Sequence, residues 1–152
     1  MGGLPIHRVG WYRRSLTMLP EDTGRLTYLD IDGAMSYAIL RLDGNLVGGW
    51  VHAYNLFRLD LTPYLVPGNN NILAIRLDNP TDSSRWYPGV ASRNVWLTKV
   101  GPVYVVQYGI YVTLADVSTQ AATINAVVQV KNNVNMRRQI TVATDVYMLD
   151  VA

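Results

Sequence analysis

The sequence predicts an all-β protein. Apolar and polar residues alternate in run after run, clusters of turn-forming residues separate the runs, and no stretch of twelve residues holds a helical period. Many short strands at this spacing argue for a β-sandwich.

In chain order, a first strand is expected near Trp11–Met18, closed by the turn cluster Pro20–Gly24, and a second at Leu26–Ile31. In Tyr37–Asp43 the residues Ala38, Leu40 and Leu42 share one face. Asp43-Gly44 then marks a tight hairpin, because a type I′ turn needs two residues that tolerate positive φ. The returning strand is Leu46–Trp50. In Leu56–Leu61, Phe57, Leu59 and Leu61 lie opposite Arg58 and Asp60. Leu61–Leu65 suits a single short turn, with Thr62 as cap and Pro63 at the first helical position. After the turn cluster Pro67–Asn71, Leu73, Ile75 and Leu77 form one face of Ile72–Asp78. Further strands are expected at Val95–Lys99, Val103–Val112, Thr123–Lys131 (Ile124, Ala126, Val128 and Val130 inward) and Gln139–Leu149 (Ile140, Val142, Val146 and Met148 inward). Trp11, Trp50 and Trp96 fall in strand patterns and are expected in the core.

A boundary falls near Gly101-Pro102, dividing a first domain of about residues 1–99 from a segment of 100–152. The first part is rich in Trp, Gly and Asp-containing turns; the second has longer Val/Ile/Thr strands. About fifty residues make half of an immunoglobulin-type sandwich, so the second part reads as incomplete.

Composition removes several function classes. The chain of 152 residues has no cysteine, which excludes a disulfide scaffold, thiolate metal sites and cysteine nucleophiles. Runs such as Val103–Val106 are too short to span a bilayer, and no signal peptide is visible near Met1, so no membrane is implied and the compartment stays open. The formal charge of +2 is small and the basic residues come as scattered pairs, Arg13-Arg14 and Arg137-Arg138, which argues against a nucleic-acid partner. His7 and His52 stand far apart with no carboxylate pattern between them, so neither a metal nor another cofactor is expected.

Five segments carry a resemblance: Gly10-Trp11-Tyr12-Arg13; Asp32-Gly33 with Leu42-Asp43-Gly44; Phe57-Arg58-Leu59-Asp60-Leu61-Thr62-Pro63-Tyr64-Leu65; Asn70-Asn71-Ile72-Leu73-Ala74-Ile75-Arg76-Leu77-Asp78-Asn79-Pro80; and Ser84-Arg85-Trp86-Tyr87-Pro88-Gly89 with Arg93-Asn94-Val95-Trp96-Leu97. In this order they resemble the N-terminal sugar-binding domain of family 2 glycoside hydrolases, with wording most similar to bacterial β-galactosidases. The resemblance implies a jelly-roll sandwich of the galactose-binding type, followed by the opening strands of an immunoglobulin-like domain. It departs from the family at Arg41, where an aromatic is usual, at Asp43, where Asn is usual, and at Val90-Ala91-Ser92, where the family commonly reads Ala-Gly-Ile-Tyr. Strands that normally precede Gly10 are not recognised.

Retaining glycosidases need two carboxyl groups about 5 Å apart. In this family, the resemblance implies, both are glutamates on a later barrel domain, whereas this chain has Glu21 alone, in a turn. No catalytic residue is therefore assigned. What the resemblance leaves to this chain is the rim of a sugar pocket, with Arg85, Trp86 and Tyr87 as the substrate-binding candidates. A guanidinium offers a rigid fork of donors to adjacent hydroxyls or a carboxylate, and aromatic rings stack on sugar faces. The competing structural roles are a loop clamp for Arg85 and core or interface packing for Trp86 and Tyr87. Asp78, Asn79, Arg93 and Asn94 are expected to orient and tie down this loop.

The partners implied are a carbohydrate, β-galactoside-like, and a catalytic barrel; a homo-oligomer is compatible with the sequence. The alternatives are a stand-alone carbohydrate-binding module and a structural β-sandwich interaction domain. The isolated chain is expected to release no nitrophenol from a panel of aryl glycosides at high protein concentration; turnover abolished by Glu21→Gln would defeat this reading.

Overall fold

The computed structural model describes residues 9–52, 54–78 and 93–147. It divides into two compact units, Met1–Gly101 and Pro102–Ala152. The described residues of the first unit form seven strands: β1 (Val9–Thr17), β2 (Leu26–Ile31), β3 (Ala38–Leu42), β4 (Asn45–Trp50), β5 (Phe57–Asp60), β6 (Asn70–Asp78) and β7 (Val95–Val100). Single 3₁₀ turns stand at Pro20–Asp22 and Thr62–Tyr64.

The strands pair antiparallel in two sheets, ordered β1-β6-β3-β4 and β5-β2-β7. Alternation decides which side chains meet between the sheets. Leu40 and Leu42 on β3 and Leu73, Ile75 and Leu77 on β6 face Leu29 and Ile31 on β2 and Phe57 on β5, all in one buried cluster. The expected inward faces of these strands are the observed ones.

The tryptophans do not follow that expectation. Trp11, Trp50 and Trp96 are 47%, 42% and 56% exposed. Trp11 pairs with Arg76 and Trp96 with Asp30, on the outer faces of their sheets. Trp50 is on the inner face but at the last position of its strand, where it caps the core by stacking on Phe57 with centroids 6.1 Å apart.

Turn chemistry sets the register of the hairpin. Asp43 and Gly44 both have positive φ, +50° and +83°, as the type I′ turn requires. A side chain at Gly49 would place its Cβ 2.1 Å from the Ala38 carbonyl oxygen, so only glycine lets β4 approach β3 at that point.

Polar side chains bind the ends and the outer face. Asn71, 1% exposed, accepts a hydrogen bond from Val66 N–H at 2.9 Å, and its amide nitrogen lies within 3.4 Å of the carbonyls of Asn69, Val66 and Leu16. Thr62 does not cap its own turn as expected; its hydroxyl accepts from Thr27 N–H at 2.9 Å, and Asp60 takes the Thr62 N–H. On the outer face of β5-β2-β7, Arg58 grips Asp30 through two nitrogens at 2.6 and 2.9 Å, and Thr98 donates to the same carboxylate at 2.7 Å. The Arg58 guanidinium lies 4.9 Å over the Tyr28 ring. Asp22 is paired with Lys99. That hydrogen-bonded ammonium holds the Asp22 carboxyl below the usual carboxylate range, against burial, which acts in the opposite direction.

In the second unit, β8 (Val103–Ala115) and β9 (Thr123–Asn132) form an antiparallel ribbon. Four residues, Val106–Gly109, bulge between the pairs Val105–Val130 and Ile110–Val128. Tyr108 in that bulge has φ +56° and is 79% exposed. The inward set expected on β9 is covered only in part: Val128 and Val130 are half-buried, whereas Ala126 is exposed and Ile124 is 46% exposed. The strand expected over Gln139–Leu149 does not form among the described residues, which make no ladder there; Ile140 and Val142 instead line a shallow hollow with Val103, Tyr104 and Val130.

Replacing Asn71 by Ala strands the Val66 N–H and several carbonyls. The expected loss is about 1–3 kcal/mol for each buried group left without a partner that water cannot reach. Asn71→Leu, similar in volume but without polar atoms, should lose as much. Urea unfolding checks both; a loss confined to the Ala variant would show that volume, not hydrogen bonding, is what Asn71 supplies.

Candidate functional site

Strand polarity gathers three connections at one end of the sandwich. Strands β2, β4 and β6 finish there and β3, β5 and β7 start there, as the pairs Ile31–Phe57, Ile31–Val95, Ala38–Trp50 and Ile39–Arg76 show. The connections are residues 32–37, 51–56 and 79–94.

The first of them is the anchor. Gly33, Ala34, Met35 and Ser36 are buried. Asp32 N–H donates to the Asn94 carbonyl at 3.1 Å, where the third connection returns to β7. Where that connection leaves β6, Ser36 and Asp78 exchange bonds: Asp78 N–H donates to Ser36 O and Ser36 Oγ donates to Asp78 O, both at 2.9 Å. The Asp78 carboxylate takes Arg76 at 2.7 Å. Tyr37 N–H donates to the Val51 carbonyl at 3.3 Å, tying in the second connection.

Exposed aromatic side chains stand on the first two connections and on β7. Tyr37, held at φ +46°, and Tyr54 are 47% and 51% exposed. Trp96 is half exposed, and its indole N–H donates to Asp32 Oδ2 at 3.2 Å. Flat rings with one polar tip, beside carboxylates already oriented by partners, suit a ligand with both apolar faces and hydroxyls. The carboxylates here, Asp32 and Asp78, are each engaged by a neighbour. No group of three metal-ligating side chains gathers among the described residues.

Arg85, Trp86 and Tyr87 lie outside the described residues. So does Asn79; Arg93 is exposed, and Asn94 ties the returning chain through its carbonyl. Sequence reasoning missed Tyr37, Tyr54 and Ser36. Ser36 acts on a backbone neighbour 42 residues away, which no local pattern records. A cleft of about 490 Å³ lies elsewhere, on the flank between edge strands β1 and β7, with Leu16, Leu29, Leu73 and Leu97 among its lining residues.

Ser36→Ala removes one of the two bonds that hold Asp78. A neutral hydrogen bond is worth about 0.5–1.5 kcal/mol. Stability should fall by that amount, and the Asp78 amide should exchange with deuterium faster; exchange unchanged from wild type would remove Ser36 as an anchor.

No family model matches the chain. It is 35% identical over 145 residues to a β-galactosidase of Bacteroides ovatus, a match covering 94% of this chain and 17% of that protein. Its fold is similar to that of a β-glucuronidase of Bacteroides uniformis, with a TM-score of 0.74 and 28% identity over 85% of this chain and 17% of that one. A glycosyl hydrolase family 2 member from Bacteroides cellulosilyticus gives a TM-score of 0.72 and 28% identity over 78% of this chain and 15% of that one. The chain spans about a sixth of the length of these relatives.

Proposed function

The chain corresponds, in sequence and in fold, to part of the family 2 glycoside hydrolases, and we propose that it is a non-catalytic, sugar-binding portion of such an enzyme. In this reading residues 1–99 are a jelly-roll domain that shapes the rim of a β-galactoside pocket. Residues 100–152 open an immunoglobulin-like domain, and the catalytic carboxylates belong to a barrel.

One observation carries the proposal. The connection that contains Arg85, Trp86 and Tyr87 leaves from Asp78 and returns at Asn94, and both stems are tied to the same buried turn. A loop on fixed stems at the end of a rigid sandwich is well placed to present binding groups. Exposed Tyr37 and Tyr54 on the neighbouring connections and Trp96 on β7 would add the apolar surface a sugar ring needs. Arg85 would supply paired donors to adjacent hydroxyls, with Trp86 and Tyr87 stacking on the ring.

Alone, the chain would then hold galactose or lactose no tighter than millimolar, because most of the pocket is contributed elsewhere; micromolar binding favours a stand-alone module. In an enzyme containing this chain, Arg85→Ala should lower kcat/KM by about ten- to hundredfold, the equivalent of a charged hydrogen bond of roughly 1.5–3 kcal/mol. Arg85→Lys should recover little, since an ammonium lacks the planar fork. Unchanged efficiency in both variants removes Arg85 from the site; a fall in melting temperature rescued by Lys makes it a loop clamp.

A further inference from the structure

Arginines that are scattered in the sequence meet on the outer face of the four-stranded sheet. The register pairs Arg13 with Ala74 and Ala74 with Arg41, so one small side chain lies in a row between two arginines. Arg76 follows two residues along β6 on the same face, beside Trp11. Neighbouring strands stand about 4.8 Å apart, which separates the stems of Arg13 and Arg41 by roughly 10 Å across the Ala74 methyl. Arg76 stands about 7 Å from Ala74 along the strand. The small side chain of Ala74 therefore leaves a low point between the stems of Arg13 and Arg41, with the stem of Arg76 next along β6.

Each arginine also has a partner of its own. The Arg13 guanidinium lies 5.6 Å from the Trp11 ring centroid, Arg41 donates to the Gly44 carbonyl at 2.9 Å, and Arg76 pairs with Asp78. These contacts use only part of a group with five donors. On the outward positions of β1, β6 and β3, Asp78 is the one carboxylate against these three arginines, and Asp43 at the adjoining turn is occupied by Ile72 N–H at 2.7 Å. Like charges brought this close repel, and an anion between them relieves that repulsion.

The surroundings select the kind of anion. Backbone groups of the inner strands β6 and β3 are consumed by ladders on both sides, so an extended peptide laid over Ala74 finds no main-chain partners. Half-exposed Trp11 offers a flat apolar surface beside the charges, and a guanidinium fork matches a planar carboxylate. We propose that the low point at Ala74 with Arg13, Arg41, Arg76 and Trp11 is a binding site for glycans bearing carboxylates, that is, uronic-acid units. It is distinct from the loop end of the sandwich and does not depend on Arg85.

The test is calorimetric titration of the full 152-residue chain with a galacturonic acid oligomer, a neutral oligosaccharide of equal length, dextran sulfate and polyglutamate. The expected result is saturable binding of the uronate oligomer, at least about tenfold tighter than the other three and weakened by salt, tenfold being the equivalent of about one charged hydrogen bond. The double variant Arg13→Gln, Arg41→Gln should lose that advantage. Ala74→Leu, which keeps every charge but fills the low point, should lose it too; circular dichroism verifies that both variants fold. Binding of dextran sulfate or polyglutamate as tight as that of the uronate oligomer, or full affinity in Ala74→Leu, would overturn the proposal.

Discussion

The loop end of this sandwich depends on one buried turn. Residues Asp32–Ser36 pass from one sheet to the other, with Gly33–Ser36 buried, and they hold both stems of the connection between β6 and β7: Asp32 N–H donates to the Asn94 carbonyl, and Ser36 binds the Asp78 backbone through its carbonyl and its hydroxyl. The turn cannot shift without dragging Leu29, Ile31 and Ala38, which are packed among the other core residues at the sheet interface. Close packing therefore transmits rigidity from the core to the two stems, Asp78 and Asn94.

The outer face of the three-stranded sheet uses a different device. Asp30 is 7% exposed by its side chain, yet it is satisfied by Arg58 from one neighbouring strand and Thr98 from the other. A buried ion pair adds little net stability, because desolvation offsets much of the attraction. What it fixes is alignment. A slip of β5 by one residue would turn Arg58 to the opposite face and take its guanidinium away from the buried Asp30 carboxylate.

Much of this architecture was legible in the sequence, and the exceptions have physical causes. Alternation located the inward faces of β3, β5 and β6 because charged residues mark each opposite face, Arg41 on β3, Arg58 and Asp60 on β5, and Arg76 and Asp78 on β6. In β1 it fails, since Trp11 and Arg13 share one face while Tyr12, Arg14 and Leu16 share the other, and period two does not say which is covered. Gln139–Leu149 alternates well but lacks a strand to pair with among the described residues, and pattern alone does not make a ladder. Arg85, Trp86 and Tyr87 were legible only through a family resemblance. The meeting of Arg13, Arg41 and Arg76 was not legible at all, because it is a property of register across three strands.

The ribbon of β8 and β9 makes the molecule uneven in toughness. Ile110, Tyr111, Leu114 and Val127 on its two strands are each more than half exposed. A two-stranded ribbon is marginal in water, whereas the sandwich has a shared core. Heating should therefore melt the protein in two stages, and a protease should trim it from the carboxyl side before it nicks the sandwich. A single melting temperature would average two different solids, and stability comparisons between variants are meaningful only when the stage that moved is identified.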